Sequence, residues 1–390
     1  MGTARGPQVS MVAMHPLLEH ALGREERYLE TLKELVLIES PTHDKTAADR
    51  LADHLATLLS KEGWTVERHL QQVVGDHLSA RRDAPGDIST LLLAHYDTVW
   101  PVGTLEGMPF YREGDCVHGP GTSDMKAGIT TCLEAIRIAD ERGMALRGPV
   151  TLLLTSDEES GGLHSRELIE ELAKLHDRVL VVEPGSEDGS LKVGRKGTGM
   201  IEFRARGQSA HAGNNPEAGA SALRELAHFL FFVEGLNDLE AGTSVNLTVA
   251  SGGTVPNVIA EEASADVDLR VFTLAEAERL DRELRNYRPH DPRVEVEITG
   301  GLNRPPMERT EANEVLLAEA EAVQRSMGLA LGTAVVGGGS DGNFTTALGV
   351  ATLDGLGSLG VGMHARHEHI ELGATLERVA LVTALVTRAG

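Results

Sequence analysis

The sequence predicts an α/β protein, a mixed and largely parallel sheet with helices on both faces, interrupted by an inserted α+β domain. Three observations carry this reading. Short, almost wholly apolar runs at 90–94, 149–155 and 179–182 alternate with amphipathic helical stretches, the pattern of strands buried on both faces. After about Gly197 the pattern changes to half-buried strands that alternate with period two. The chain has 390 residues, more than one compact core ordinarily holds.

The elements follow in order. A helix is expected over 16–38, where Leu29, Leu32, Leu35 and Val36 share a face. A second follows Pro41, with Leu51, Leu55, Leu58 and Leu59 at helical spacing, and Gly63 ends it. Strands are expected at 64–68 and 90–94, a helix at 127–142, a strand at 149–155, a helix at 163–174 and a strand at 179–182. The second region reads as strand 200–206, helix 218–233, strands 244–250 and 265–271, helix 274–286 and strand 294–298. This β-α-β-β-α-β order belongs to a small α+β domain. Helix and strand resume after Pro306. The expected division is therefore a discontinuous domain of residues 15–197 plus 305–390, an inserted domain of 198–304, and a flexible tail of 1–14.

Charge and cysteine content narrow the function classes. The formal net charge is −23, from 59 acidic residues against 36 Lys and Arg, which repels phosphate backbones and argues against nucleic acid. Two cysteines, Cys116 and Cys132, are too few for a disulfide framework or a thiolate metal site, so any metal must use His, Asp and Glu. No apolar stretch resembles a signal peptide or a membrane span, and the expected address is the cytoplasm with no membrane partner.

Five short motifs place acidic or His side chains just beyond predicted strands and in glycine-rich loops. His95-Tyr96-Asp97 follows strand 90–94; positions i and i+2 share a side, so Asp97 can orient a ligating His95. Gly119 to Gly128 reads GPGTSDMKAG and presents Asp124 directly before a helix, either as a ligand or as a helix N-cap. Thr155 to Gly162 reads TSDEESGG, and its adjacent Glu158 and Glu159 either divide metal binding from proton transfer or form a solvated acidic turn. Glu183-Pro184-Gly185 follows strand 179–182. Gly360 to His364 reads GVGMH, in a loop that also holds His367 and His369. Carboxylates and imidazoles ending successive strands suit a crevice at the sheet's edge.

The ordered set HYD, GPGTSDMKAG, SDEESG, EPG, SAHAG (209–213), GGGSD (337–341) and GxGxH resembles the zinc-dependent exopeptidase and deacylase family, over about residues 29–386. That family includes glutamate carboxypeptidases, aminoacylases, acetylornithine deacetylase and succinyl-diaminopimelate desuccinylase. The glutamate carboxypeptidase branch is the most similar, although the last loop here is one residue shorter and has His369 where tyrosine is usual. The resemblance implies two Zn2+ per subunit, with Co2+ or Mn2+ also suited to such ligands. It implies that His95 and Glu183 hold one ion, Glu159 and His364 the other, and that Asp124 bridges them, followed by a cis peptide. Asp97 then orients His95, and Glu158 is the general base.

The resemblance further implies a homodimer through the inserted domain, with His211 reaching the partner's site to polarise the carbonyl. Arg270 and Asn257 match substrate-binding positions, and Gly338 and Gly339 would let backbone amides approach the substrate. Read without the family, Arg270 is a strand salt bridge to Asp266 or Asp268. Lys192, Arg195 and Lys196 form a basic cluster that either meets an acidic substrate group or is ordinary surface charge. The implied function is cleavage of an amide next to a C-terminal amino acid, in short peptides or N-acyl amino acids. Alternatives are an N-acyl-amino-acid deacylase or desuccinylase with the same chemistry, and a non-catalytic binding protein of this fold.

Overall fold

The computed structural model describes residues 14–388, so nearly all of the expected N-terminal tail and the last two residues lie outside the description. An eight-stranded mixed sheet forms the larger body, in the order Thr65–His69, His77–Arg82, Val150–Thr155, Thr90–His95, Arg178–Val181, Ala351–Asp354, Leu191–Arg195, Thr333–Val336. Thr90–His95 runs parallel to both neighbours, and Ala351–Asp354 runs parallel to Arg178–Val181. Their side chains alternate between two cores. Leu92, Ala94, Leu152, Leu154 and Leu180 pack under helices Lys45–Lys61, Ala127–Glu141 and Leu372–Val386. Leu91, Leu93, Leu153, Val179 and Val181 pack on the other face with Ile169 of helix Arg166–Lys174 and with Phe344. Both faces are covered, which is why these strands read as continuous apolar runs.

Two glycines set how closely the layers approach near the sheet's edge. A Cβ at Gly128 or at Gly357 would stand 1.9 Å from the carbonyl oxygen of Val182. Helix Ala127–Glu141 and the loop after Asp354 therefore press on the backbone immediately before Glu183.

The second sheet is antiparallel, in the order Ser244–Gly252, Glu262–Val271, Gly197–Arg206, Glu295–Arg304. Ala263, Ala265, Val267, Leu269 and Val271 face helices Ala222–Glu234 and Leu274–Asn286, as do Ile201, Phe203 and Ala205. Phe203 stacks on Phe229 with ring centroids 4.1 Å apart, a geometry worth roughly 0.5–1.5 kcal/mol beyond area burial. The strand and helix order is the one the sequence predicts. A third, small sheet pairs Gly360–Val361, His369–Glu371, Cys116–His118 and Tyr111–Glu113, and so brings the C-terminal loop to the segment that leads into Asp124.

Some expectations need correction. The single helix over 16–38 is two, Pro16–Leu22 and Glu25–Val36, because the Gly23 amide turns back to the carbonyls of Ala21 and Glu19. Strands His77–Arg82 and Leu191–Arg195 carry too many polar residues to stand out by hydropathy, yet both lie inside the sheet. Both cysteines are free, and no described helix is long and apolar enough to cross a membrane.

Candidate metal centre

The apolar runs that form the sheet stop where the polar site begins. His95 is the last residue of its strand and is 1% exposed. Its Nδ1 lies 3.1 Å from the Asp97 carbonyl oxygen and 3.3 Å from Asp97 Oδ1. Its Nε2 lies 3.2 Å from Asp124 Oδ1 and 3.5 Å from Glu183 Oε1. The Asp97 carbonyl oxygen holds the ring proton at Nδ1, with the Asp97 carboxylate beside it, and Nε2 is turned to the cluster. Asp97 is itself fixed, its Oδ2 accepting from Thr42 Oγ1 at 2.7 Å and from the Glu159 amide at 3.3 Å.

Asp124 sits between two histidines. Its Oδ1 faces His95, and its Oδ2 lies 3.4 Å from His364 Nε2. The peptide between Asp124 and Met125 is cis. His364 adopts a left-handed φ of 60° and also reaches Glu159, with Nε2 3.0 Å from Oε2. Glu158 and Glu159 begin the short turn Glu158–Ser160 after strand Val150–Thr155 and fall into different groups of ligand atoms. Ligand atoms of His95, Glu158 and Glu183 lie within 4.8 Å of one another, as do those of Asp124, Glu159 and His364.

The electrostatics suit cations. Burial pushes the Glu158 carboxyl well above its usual range, against the pull of Arg304. Burial also raises Glu159, with His364 opposing. For Asp124, burial acts upward but the hydrogen bonds from His364 and His95 prevail and hold it far below the usual range. Its contact with Asp124, then Glu159, lifts the His364 imidazole to about 10. Burial disfavours charge on His95, yet Asp124, Asp97 and Glu183 together raise it well above its ordinary value. Four carboxylates converge on two imidazoles, with Asp124 facing both, and this oxygen-rich donor set fits divalent metal ions.

Asp124, Glu158, Glu159, Glu183 and His364 open into a cavity of about 480 Å³ that Lys192, Gly338 and Gly339 also line. A larger concavity, about 920 Å³, lies on the polar face of the inserted sheet around Glu202, Arg204 and Glu297 and holds none of these ligands. The basic cluster divides. Arg195 is bound to Asp354 at 2.7 and 2.9 Å and to the carbonyls of Gly338 and Gly339, so it shapes the glycine loop and is not free for substrate. Lys196 lies over the Phe272 ring at 4.9 Å. Lys192 is 7% exposed, faces the cavity and pairs with no carboxylate among the described residues.

Three expected substrate residues lie elsewhere within the chain. His211 and Asn257 are exposed and adjacent on the inserted domain; the Ala212 amide donates to the Asn257 carbonyl, and His211 Nδ1 accepts from the amides of Gly213 and Asn214. Arg270 pairs with Asp268 at 2.9 Å, the strand salt bridge read from sequence alone. None of the three lines the cavity.

Two residues at the site escaped sequence reasoning. Glu368, 1% exposed, accepts from the amides of Gly121 (2.9 Å), Ser123 (2.9 Å) and Asp124 (3.1 Å) and from Trp100 Nε1 (3.0 Å). It thereby ties the loop bearing Asp124 to the loop bearing His364. Its only sequence signal is its place four residues after His364. Arg304 approaches Glu158 Oε1 to 3.1 Å and Asp341 Oδ1 to 2.6 Å from the end of the inserted sheet; nothing in the local pattern distinguishes it from other strand-end arginines.

Residues 91–388 match the pattern of Peptidase family M20/M25/M40. Carboxypeptidase G2 of Pseudomonas sp. (strain RS-16) is 31% identical over 381 residues, covering 96% of this chain and 92% of that protein. Succinyl-diaminopimelate desuccinylase of Acinetobacter baumannii (strain AYE) is 29% identical over 365 residues, covering 87% and 92%. A tripeptidase structure from Staphylococcus aureus superposes with a TM-score of 0.77 at 23% identity, covering 93% of this chain and 97% of that one. An M20 family metallo-carboxypeptidase from Sulfolobus solfataricus superposes with a TM-score of 0.72 at 17% identity, covering 92% and 98%.

Proposed function

The chain belongs to peptidase family M20/M25/M40 and is a metal-dependent hydrolase, and from that premise we propose a two-metal, glutamate carboxypeptidase-like exopeptidase acting on N-acyl amino acids or short peptides. The observation that carries this is Asp124, whose two oxygens face His95 on one side and His364 on the other. His95, Glu183 and Asp124 would hold one ion, and Asp124, Glu159 and His364 the other; zinc suits this donor set. When bound, the ions supply an acidified water and polarise the scissile carbonyl.

The chain's own residues do the rest. Glu158 takes the proton of the attacking water on its carboxylate and returns it to the leaving amine nitrogen. Asp97 keeps the Nδ1 proton of His95 in place. His211 of a second copy donates to the developing oxyanion, while Arg270 and Asn257 take the substrate's α-carboxylate. That role requires Arg270 to exchange Asp268 for the substrate. Residues 198–304 form the dimerisation and lid domain, and 15–197 with 305–390 the metal-binding one. Support for pairing comes from Leu223, Leu230 and Phe231, exposed on helix Ala222–Glu234, and Val249 on the sheet's edge strand. The free cysteines favour a cytoplasmic address.

Lys192 favours an acidic group on the substrate, because a buried, unpaired ammonium is costly until an anion meets it. An N-acyl-amino-acid deacylase or desuccinylase is the second reading, favoured by the similarity to succinyl-diaminopimelate desuccinylase over 87% of the chain. The test is metal analysis together with hydrolysis of N-acyl-glutamate, N-acyl-glutamine, N-acetyl and N-succinyl substrates, with and without zinc. Zinc-stimulated release of glutamate in preference to glutamine is expected, and Lys192→Met should erase the preference. Faster acetate or succinate release would select the deacylase. A protein without metal or metal-stimulated amide hydrolysis would be a binding protein of this fold.

A further inference from the structure

The chain crosses between its two large sheets twice, and the returning crossing lies against the turn that carries Glu158 and Glu159. Strand Glu295–Arg304 stays paired with Gly197–Arg206 up to the crossing itself, with Arg304 opposite Thr198. A Cβ at Gly197 would come within 2.7 Å of the Pro306 nitrogen and 2.9 Å of the Arg304 carbonyl oxygen. The two crossings are thus one close-packed ribbon.

At the end of that ribbon two consecutive side chains grip the turn. Asn303 Nδ2 donates to the Gly161 carbonyl at 2.9 Å, so close that a Cβ on Gly161 would meet that nitrogen at 2.6 Å. Arg304 Nη2 donates to the Glu158 carbonyl at 3.0 Å and lies 3.1 Å from Glu158 Oε1. Arg304 Nη1 donates to Asp341 Oδ1 at 2.6 Å, and the guanidinium lies over the Phe344 ring at 4.9 Å. Arg304 is 3% exposed, so little water is at hand to replace these contacts, while Glu158 still lines the cavity. A planar guanidinium with fixed donor directions holds its partners in orientation as well as distance.

We propose that Asn303 and Arg304 are positioning residues that couple the placement of the inserted domain to the carboxylate of Glu158, an inference that rests on Glu158 being the base. A substrate gripped by the inserted domain sets the ribbon, and the ribbon sets Glu158. Binding contacts remote from the scissile bond then appear in kcat as well as in KM.

The experiment compares the parent metalloenzyme with N303A, R304K, R304M and E158Q, on an N-acyl amino acid and on its C-terminal carboxamide. In the parent, the carboxamide is expected to lower kcat and raise KM. N303A is expected to lose about 3–10-fold in kcat and R304M about 100-fold, the scale of a 1 Å misplacement, with metal content unchanged. R304K should recover about tenfold over R304M, since one of the donor contacts survives. In N303A and R304M the carboxamide should cost KM but no longer kcat. Parent-like kcat in both variants, or losses that track lost metal, would overturn the coupling. If R304M does not fold, N303A decides, because Asn303 is only half-buried and takes no charge with it. An active, metal-loaded E158Q refutes the base assignment; an inactive E158Q beside fully active N303A and R304M refutes the coupling alone.

Discussion

Replacing Glu368 with glutamine tests whether one buried carboxylate holds the metal loops together. Its Oε1 accepts from the amides of Ser123 and Asp124, and its Oε2 from the Gly121 amide and Trp100 Nε1. Glutamine keeps one oxygen and turns an NH2 group toward the other two donors. Two unpaired buried donors cost about 1–3 kcal/mol each. Part of this is offset, because burial pushes the Glu368 carboxyl up to about 7 and the amide removes that buried charge. A net loss of about 3 kcal/mol, set against an unfolding entropy of roughly 2.1 cal/mol/K per residue, lowers Tm by about 4 °C. The larger effect falls on the metal. Displacing the loop that presents Asp124 should weaken ion binding by about 10–100-fold, read by competition with a chromogenic chelator. Parent-like Tm together with parent-like metal affinity in Glu368→Gln would show that the four contacts organise nothing.

Three other outcomes are expected. His211→Ala should lower kcat by about 10²–10³-fold with unchanged metal content; equal activity removes its role at the oxyanion. Gly128→Ala forces a Cβ against the Val182 carbonyl, so it should cost about 1–3 kcal/mol in thermal unfolding and weaken metal retention beside Glu183; a neutral substitution would show that the layers yield there. His364 is raised to about 10 by Asp124 and Glu159 and must lose its proton to ligate. Metal affinity should therefore rise with pH toward about 10. The stability that protonated His364 lends the metal-free protein is complete below its unfolded value near 6.5 and is lost as pH rises through about 10. Titration calorimetry in buffers of different ionisation heat should detect proton release on metal binding, and heats independent of buffer would contradict it.

Much of this architecture was legible because burial on both faces leaves apolar runs such as Leu91–Leu93 that resemble nothing else. The site residues were legible through order and strand-end placement together, since each motif alone has an ordinary structural use. What stayed hidden depends on contacts distant in sequence. Glu368 reaches back more than 240 residues to Gly121, Ser123 and Asp124. Leu191–Arg195 is buried although polar, with Arg195 paired to Asp354 and Lys192 turned to the cavity, and His77–Arg82 buries only its first four residues. Arg195 thereby left the substrate-facing cluster and Lys192 remained. His211 and Arg270 have their expected partners outside this chain, in a second copy and in the substrate.

The sheet order has a consequence for biosynthesis. Ala351–Asp354 lies between Arg178–Val181 and Leu191–Arg195, so a central strand is synthesised long after both of its neighbours. At synthesis rates of about 5–20 residues per second, its slot waits roughly 10–30 s after the neighbouring strands emerge. His364 and Glu368 follow later still. A nascent chain can close its inserted domain in that interval, but it cannot assemble the metal-binding crevice. Metal loading thus reports that Ala351–Asp354 has found its slot, and apolar strand edges on the ribosome-bound chain are the species for a chaperone to shield.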